Sequence, residues 1–114
     1  KGKDLSRAEA MSYKTIKAQP TNTTFLDTYA WVLFMQKKYA EALSYIDQAL
    51  ANDTDSVKSA TVIEHAGDIY VMNGKTDQAI DYWKQALEIG GKNALISRKI
   101  KAKRYIKDSS KTNL

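Results

Sequence analysis

Ile63-Glu64-His65-Ala66-Gly67-Asp68-Ile69-Tyr70-Val71-Met72-Asn73-Gly74-Lys75-Thr76-Asp77-Gln78-Ala79-Ile80-Asp81-Tyr82-Trp83-Lys84-Gln85-Ala86-Leu87 reads as two helices joined by a turn. Asn73-Gly74 suits the left-handed conformation that closes a helix. Thr76-Asp77 offers a cap and a carboxylate for the start of the next helix. Small residues (Ala66, Gly67, Ala79, Ala86) stand where two helices would touch, and Ile63, Tyr70, Trp83 and Leu87 fill the space around them. Neither helix can bury its apolar face alone, so the unit calls for neighbours.

A neighbour is written into the same chain. Shifting the sequence by 37 residues places Ala42, Tyr45, Gln48, Ala49 and Leu50 on Ala79, Tyr82, Gln85, Ala86 and Leu87, and Met35 on Met72. Leu26, Tyr29, Ala30 and Leu33 fall on Ile63, Ala66, Gly67 and Tyr70. The identities recur at helical spacing with varied residues between them, as in a stack of helical hairpins.

The unit resembles a tetratricopeptide repeat, whose pattern is W-x2-L-G-x2-Y, then A-x3-F, then P. Here it reads Ile63-x2-Ala66-Gly67-x2-Tyr70, then Ala79-x3-Trp83, with Gly91 where the proline falls. The earlier copy reads Leu26-x2-Tyr29-Ala30-x2-Leu33, then Ala42-x3-Ile46, with Thr54 at that place. Ile63 and Leu26 depart from the tryptophan, and Lys37 stands where the later copy has Gly74. The family period is about 34 residues, so the linker within residues 52–59 holds three extra ones. The resemblance implies an all-α fold, a solenoid of antiparallel hairpins with about six helices.

Size and composition agree. The 114 residues suffice for one domain with a continuous core. At 43% hydrophobic residues the chain is not a disordered polar one. The longest apolar run, residues 29–35, is far short of a membrane span. With no cysteine, disulfides and thiol chemistry are excluded, and no compartment is assigned. No signal peptide is visible, and the chain begins at Lys1. It reads as a fragment of a longer protein whose targeting signal, if any, lies upstream.

Charge is uneven. Residues 92–114 carry eight bases and one acid, a net of +7, while residues 1–91 carry a net of −2. The repeats are mildly acidic and the end of the chain is basic.

In chain order, residues 4–18 form a helix, capped by Asp4 or Ser6, with Leu5, Ala8, Met11 and Ile16 as a loose apolar stripe. Ala8 lies 34 residues before Ala42 and Pro20 lies 34 before Thr54. This helix is expected to be the second half of a truncated preceding repeat, with an N-terminal face open to self-association. Repeat one spans 23–56, with helices at 23–36 and 39–51. Thr21, Asn22 and Thr23 offer caps, Asp27 sits in the first turn, and Tyr39 staples the hairpin. Repeat two spans 60–93, with helices at 59–73 and 76–89. A final helix at 93–107, capped by Asn93, presents Leu95, Ala102 and Ile106 on one face with Ile96 and Ile100 beside it. It fails the repeat pattern and is expected to cap the stack. Residues 108–114 are expected to fray.

Catalysis finds little support. His65 is the one histidine, and no phosphate-cradling glycine loop occurs. Glu64, His65 and Asp68 share a helix face, but a metal site wants more nitrogen ligands than one. No enzyme activity, metal or cofactor is expected. The resemblance implies instead a concave groove lined by the first helices of the repeats. By that resemblance the groove residues are Thr24, Asp27, Thr28, Trp31, Phe34 and Met35, then Thr61, Glu64, His65, Asp68, Val71 and Met72. Glu64, His65 and Asp68 are read as a solvent-reaching surface away from the packing seam.

The expected partner is a protein, bound as a peptide or helix. Asp27, Glu64 and Asp68 beside an apolar patch suit Lys or Arg next to hydrophobic anchors. The same acids disfavour a terminal carboxylate, which some co-chaperones of this family clamp with basic groove residues. Two alternatives stand beside this reading. One is a structural end module of a longer array that self-associates. The other is nucleic-acid or membrane binding by Arg98, Lys99, Lys101, Lys103, Arg104 and Lys107. Those charges run all round the helix, with only Tyr105 to stack on a base, so a solvated cap is preferred to an anion site.

Overall fold

In the computed structural model the described residues are 2–53, 59–90 and 93–106, and they form six helices without a strand. These are α1 (Gly2–Ala18), α2 (Thr23–Met35), α3 (Tyr39–Ala51), α4 (Ala60–Met72), α5 (Thr76–Ile89) and α6 (Asn93–Ala102). The chain divides into two units, residues 1–58 with α1 to α3 and residues 59–114 with α4 to α6. In the first, α2 pairs with α3 and α1 lies on α2. In the second, α4 pairs with α5 and α6 lies on α5.

Both hairpins turn by the same device. Gly74 adopts a left-handed φ of 79° after α4, and Lys37 adopts 64° after α2. The Lys75 amide then donates to the Tyr70 carbonyl at 3.0 Å and the Gly74 amide to Val71 at 3.1 Å. In the first unit the Lys38 amide donates to Leu33 and the Lys37 amide to Phe34, each at 2.9 Å. Two crossed bonds thus satisfy carbonyls that a helix end leaves orphaned. Glycine enters the left-handed region freely, whereas a lysine there meets its own Cβ. Phe34 and Tyr39 close the first turn edge to face, with ring centroids 5.4 Å apart.

The caps are selective. Among the three residues offered before α2, Asn22 accepts from the Phe25 amide at 3.0 Å. Ser59 caps α4 by accepting from Val62 at 3.4 Å. Thr76 and Asp77 are the first residues of α5 itself; its cap position is Lys75, without a side-chain bond, and Asp77 supplies a first-turn carboxylate. Asp27 lies beyond the first turn of α2 and is buried. Helix α1 has already begun at Gly2, so Ser6 is an interior residue and not a cap.

Each unit has its own core. Leu26, Ala30 and Leu33 of α2 meet Ala42, Ile46 and Ala49 of α3, all essentially fully buried. Ile63, Ala66 and Ile69 of α4 meet Ala79, Trp83 and Ala86 of α5 in the same way. A Cβ added to Gly67 would overlap the Trp83 indole, so the large ring lies directly on the helix backbone. At the equivalent places the first hairpin has Ala30 and Ile46, one residue larger and the other smaller.

The last helix differs from expectation. It ends at Ala102, not at 107, because Lys103 turns left-handed (φ 57°) and the Lys103 and Arg104 amides both donate to the Lys99 carbonyl. Its buried face carries Ile96 and Lys99, with Leu95 and Ile100 half-buried and Ala102 exposed. The Asp4, Leu5 and Asn93 side chains, the linker position Thr54, Gly91, Lys107 and residues 108–114 lie outside the described residues.

Two stability measurements check this account. Lys37→Gly should stabilise the chain by about 0.5–1 kcal/mol, and Gly74→Ala should destabilise it by about 1 kcal/mol, in urea unfolding. Gly67→Ala should cost about 1–3 kcal/mol through overpacking. Adding Trp83→Ile, which restores the pairing of the first hairpin, should recover part of that loss in a double-mutant cycle.

Candidate functional site

The expected binding residues separate into two groups, one in each unit. On α2, Trp31 is half-buried and stacks on Phe34, with centroids 4.6 Å apart and planes 15° from parallel. Phe34 is buried beneath it, and Met35 projects with 44% of its surface exposed. Met72, in register with Met35, is 39% exposed at the end of α4. The same position of each repeat therefore offers a flexible apolar side chain to solvent. Asp27 is buried, so little of it reaches that surface.

On α4 the acidic residues are engaged. Lys99 of α6 is buried with only 1% of its surface exposed. Its ammonium donates to Asp68 Oδ1 and to Glu64 Oε2, each at 2.8 Å. The Trp83 indole N–H donates to the same Asp68 oxygen at 3.1 Å. Asp68 is thus a buried member of an ion cluster and not the solvent-reaching residue expected. Lys99 leaves the basic run for the core, while Arg98, Lys101, Lys103 and Arg104 stay exposed. Tyr105 covers the ammonium, its ring centroid 5.4 Å away. His65 is half-buried on α4.

Burial dominates the Asp68 carboxyl and pushes its pKa up to about 6, against the pull of Lys99 and the two hydrogen bonds. Burial also works against the Lys99 charge, but the Asp68 and Glu64 carboxylates outweigh it and hold that pKa above the usual lysine value. The pair is therefore ionised at neutral pH. Asp68 holds its proton to higher pH when folded than the ordinary 3.8 of an aspartate. Folding then takes up a proton between those values, so this group's contribution to stability declines as pH rises from about 4 to about 6. The Lys99 contribution is present below the ordinary lysine value of 10.5 and is lost at higher pH.

A second cluster lies in the first unit. Gln36 and Lys38 donate to one oxygen of Glu9 on α1. Those two hydrogen bonds, Gln36 first, hold the Glu9 carboxyl below its ordinary range. The cluster edges an open cleft of about 520 Å³ between Tyr13 of α1 and Tyr29 of α2. Burial raises the Tyr29 hydroxyl to about 12. Among the described residues no three His, Asp or Glu side chains gather as a metal site would require.

One signal for the buried ion pair existed in the sequence. Ile96 and Lys99 are three apart, so a lysine sits in an apolar helix stripe. The face expected from Leu95, Ala102 and Ile106 is not the buried one.

The chain belongs to the tetratricopeptide repeat family, whose model matches residues 21–91. Among curated proteins it is 29% identical over 85 residues to the photosystem I assembly protein Ycf3 of Acaryochloris marina. That match covers 70% of this chain and 51% of the relative, so the chain spans about half the relative's length. Among solved structures, a chain of Naa15/Naa10 bound to HypK-THB is 25% identical with a TM-score of 0.69, over 90% of this chain and 15% of the other. The N-terminal domain of stress-induced protein-1 (STI-1) of C. elegans shares the fold, with 23% identity and a TM-score of 0.70. That match covers 90% of this chain and 83% of the domain. The fold is one of protein–protein interaction, and proteins of this family are mostly non-catalytic adaptors.

The ion cluster makes its own predictions. The Asp68 carboxyl carbon, followed by NMR, should titrate with a midpoint near 6; a midpoint below 4 would mean that Lys99 outweighs burial. Lys99→Met should destabilise by about 3 kcal/mol because it strands Asp68, and Asp68→Asn should relieve part of that cost in the double variant.

Proposed function

We propose that this chain is a non-catalytic interaction module that receives a peptide or helix on the first helices of its repeats, through apolar anchors. The carrying observation is the register pair Met35 and Met72, both exposed at the same position of successive repeats. Trp31, stacked on Phe34, adds an aromatic surface to the first of them. A thioether on three rotatable bonds adapts to apolar partners of varied shape, and an exposed aromatic ring supplies contact area. The family supports the class of function, and a relative that is itself an assembly protein is in keeping with it.

The expected preference for a basic partner is revised in this proposal. Glu64 and Asp68 already hold Lys99, so a cationic side chain from outside would have to displace a buried ion pair. A hydrophobic segment fits better than a Lys- or Arg-rich one. For the same reason α6 is read as a helix that closes the second repeat, and binding of nucleic acid or membrane through it loses one of its bases to the core.

Met35→Lys with Met72→Lys tests the proposal, since both side chains are exposed and helical content should be unchanged by circular dichroism. Capture of a cellular partner should fall by about tenfold or more, the scale of losing a buried hot spot. Undiminished capture by the doubly substituted chain overturns the proposal.

A further inference from the structure

The first hairpin turns on Gln36-Lys37 and the second on Asn73-Gly74. The turn geometry is shared, but the chemistry of the two pairs is not. An asparagine amide carbon is an electrophile within reach of the next backbone nitrogen, and attack by that nitrogen closes a five-membered ring. A glutamine would need a six-membered ring, which forms far more slowly. Glycine leaves the attacking nitrogen unhindered. The other asparagines, Asn22, Asn52, Asn93 and Asn113, precede Thr23, Asp53, Ala94 and Leu114, each with a Cβ in the way. Gly74 is exposed, with open space where a Cβ would stand, so water reaches the turn.

The folded turn holds the reacting groups apart. Ring closure requires the Gly74 nitrogen to eclipse the Asn73 Cβ about the Cα–C bond. At ψ 13° it lies close to eclipsing Asn73's own nitrogen instead. The Asn73 side-chain amide is drawn back along α4 and donates to the Ile69 carbonyl at 2.8 Å. The Gly74 amide, which must lose its proton to attack, donates to the Val71 carbonyl at 3.1 Å. Releasing these restraints together amounts to local opening of the turn.

We propose that Asn73-Gly74 is a deamidation site gated by the α4–α5 turn, and that its products cannot restore the closed turn. In the open state the Gly74 nitrogen gives its proton to water and bonds to Asn73 Cγ. The Cγ–Nδ2 bond breaks, and the amide nitrogen leaves as ammonia. Water then opens the succinimide. Attack at Cγ breaks its bond to the Gly74 nitrogen and gives aspartate. Attack at the main-chain carbonyl breaks the original peptide bond and gives isoaspartate, with the chain running through Cγ. Neither product keeps the Nδ2 donor. Aspartate sets a carboxylate against the Ile69 carbonyl, at the negative end of α4. Isoaspartate adds a methylene to the backbone inside the turn that the bonds to Tyr70 and Val71 close. The reaction needs water and no partner, so it stands or falls apart from the role given to Met35 and Met72.

The whole chain is incubated at mildly alkaline pH, natively and in guanidinium chloride. Peptide mapping by mass spectrometry follows the exchange of NH2 for OH at each asparagine. Asn52 is the matched control: its side-chain amide donates to the Gln48 carbonyl at 2.9 Å and the Asp53 amide to Leu50 at 3.3 Å, but the residue that follows carries a Cβ. Asn73 should convert faster than Asn52 in both states. Its native rate should be about tenfold or more below its rate in denaturant, the scale of breaking the turn's hydrogen bonds. Gly67→Ala, which strains the same helix pair, should speed the native reaction and leave the denatured rate unchanged. Asn73→Gln should remove the reaction. Asn73→Asp, one of the two products, should lower the unfolding midpoint and speed hydrogen exchange at the Gly74 and Lys75 amides. Native conversion as fast as in denaturant, or no faster at Asn73 than at Asn52, overturns the proposal. So does an Asn73→Asp chain with unchanged midpoint and unchanged exchange.

Discussion

The Trp83 indole lies against α4 because Gly67 has no side chain to hold it off. That single omission sets how closely α4 and α5 approach. At that distance the indole N–H reaches Asp68, one residue along α4, and one carboxylate oxygen accepts both the indole and the Lys99 ammonium. The cluster then fixes α6, whose inward side otherwise offers, among the described residues, only Ile96 as a fully buried one. Remove the close approach and the acid loses a donor, the lysine loses an oriented partner, and the closing helix loses an anchor.

The two hairpins are one template filled in two ways. Gly67 with Trp83 and Ala30 with Ile46 divide the space between paired helices differently, as volume-conserving exchange allows. The turns divide a different cost. Gly74 enters the left-handed region freely but orders a flexible residue, whereas Lys37 accepts strain and forms the same two crossed hydrogen bonds. The shared geometry therefore belongs to the helix-end carbonyls that need partners and not to the residue that supplies the turn.

Helix positions were legible because the apolar residues recur at helical spacing twice over, and because Asn22 and Gly74 are local signals acting within a few residues. The exposed Met35 and Met72 were legible in the same way, from their phase against Leu33 and Tyr70. The charged residues were not. Glu64 and Asp68 look like a solvated acidic face when α4 is read alone. Lys99 looks like one base among many, and its partners lie 31 and 35 residues away in sequence. The lysine in an apolar stripe was the one local hint, and it is ambiguous because a long lysine stem often covers apolar surface with its head in water.

By itself the sequence determined the number of helices, their pairing into hairpins and the seams that join them. These follow from short-range hydrogen bonding and the 3.6-residue period. The fate of each charge on those seams was decided by tertiary structure. Whether a carboxylate faces solvent or a buried ammonium depends on which distant helix covers it, and burial raises the cost of leaving either ion unpaired.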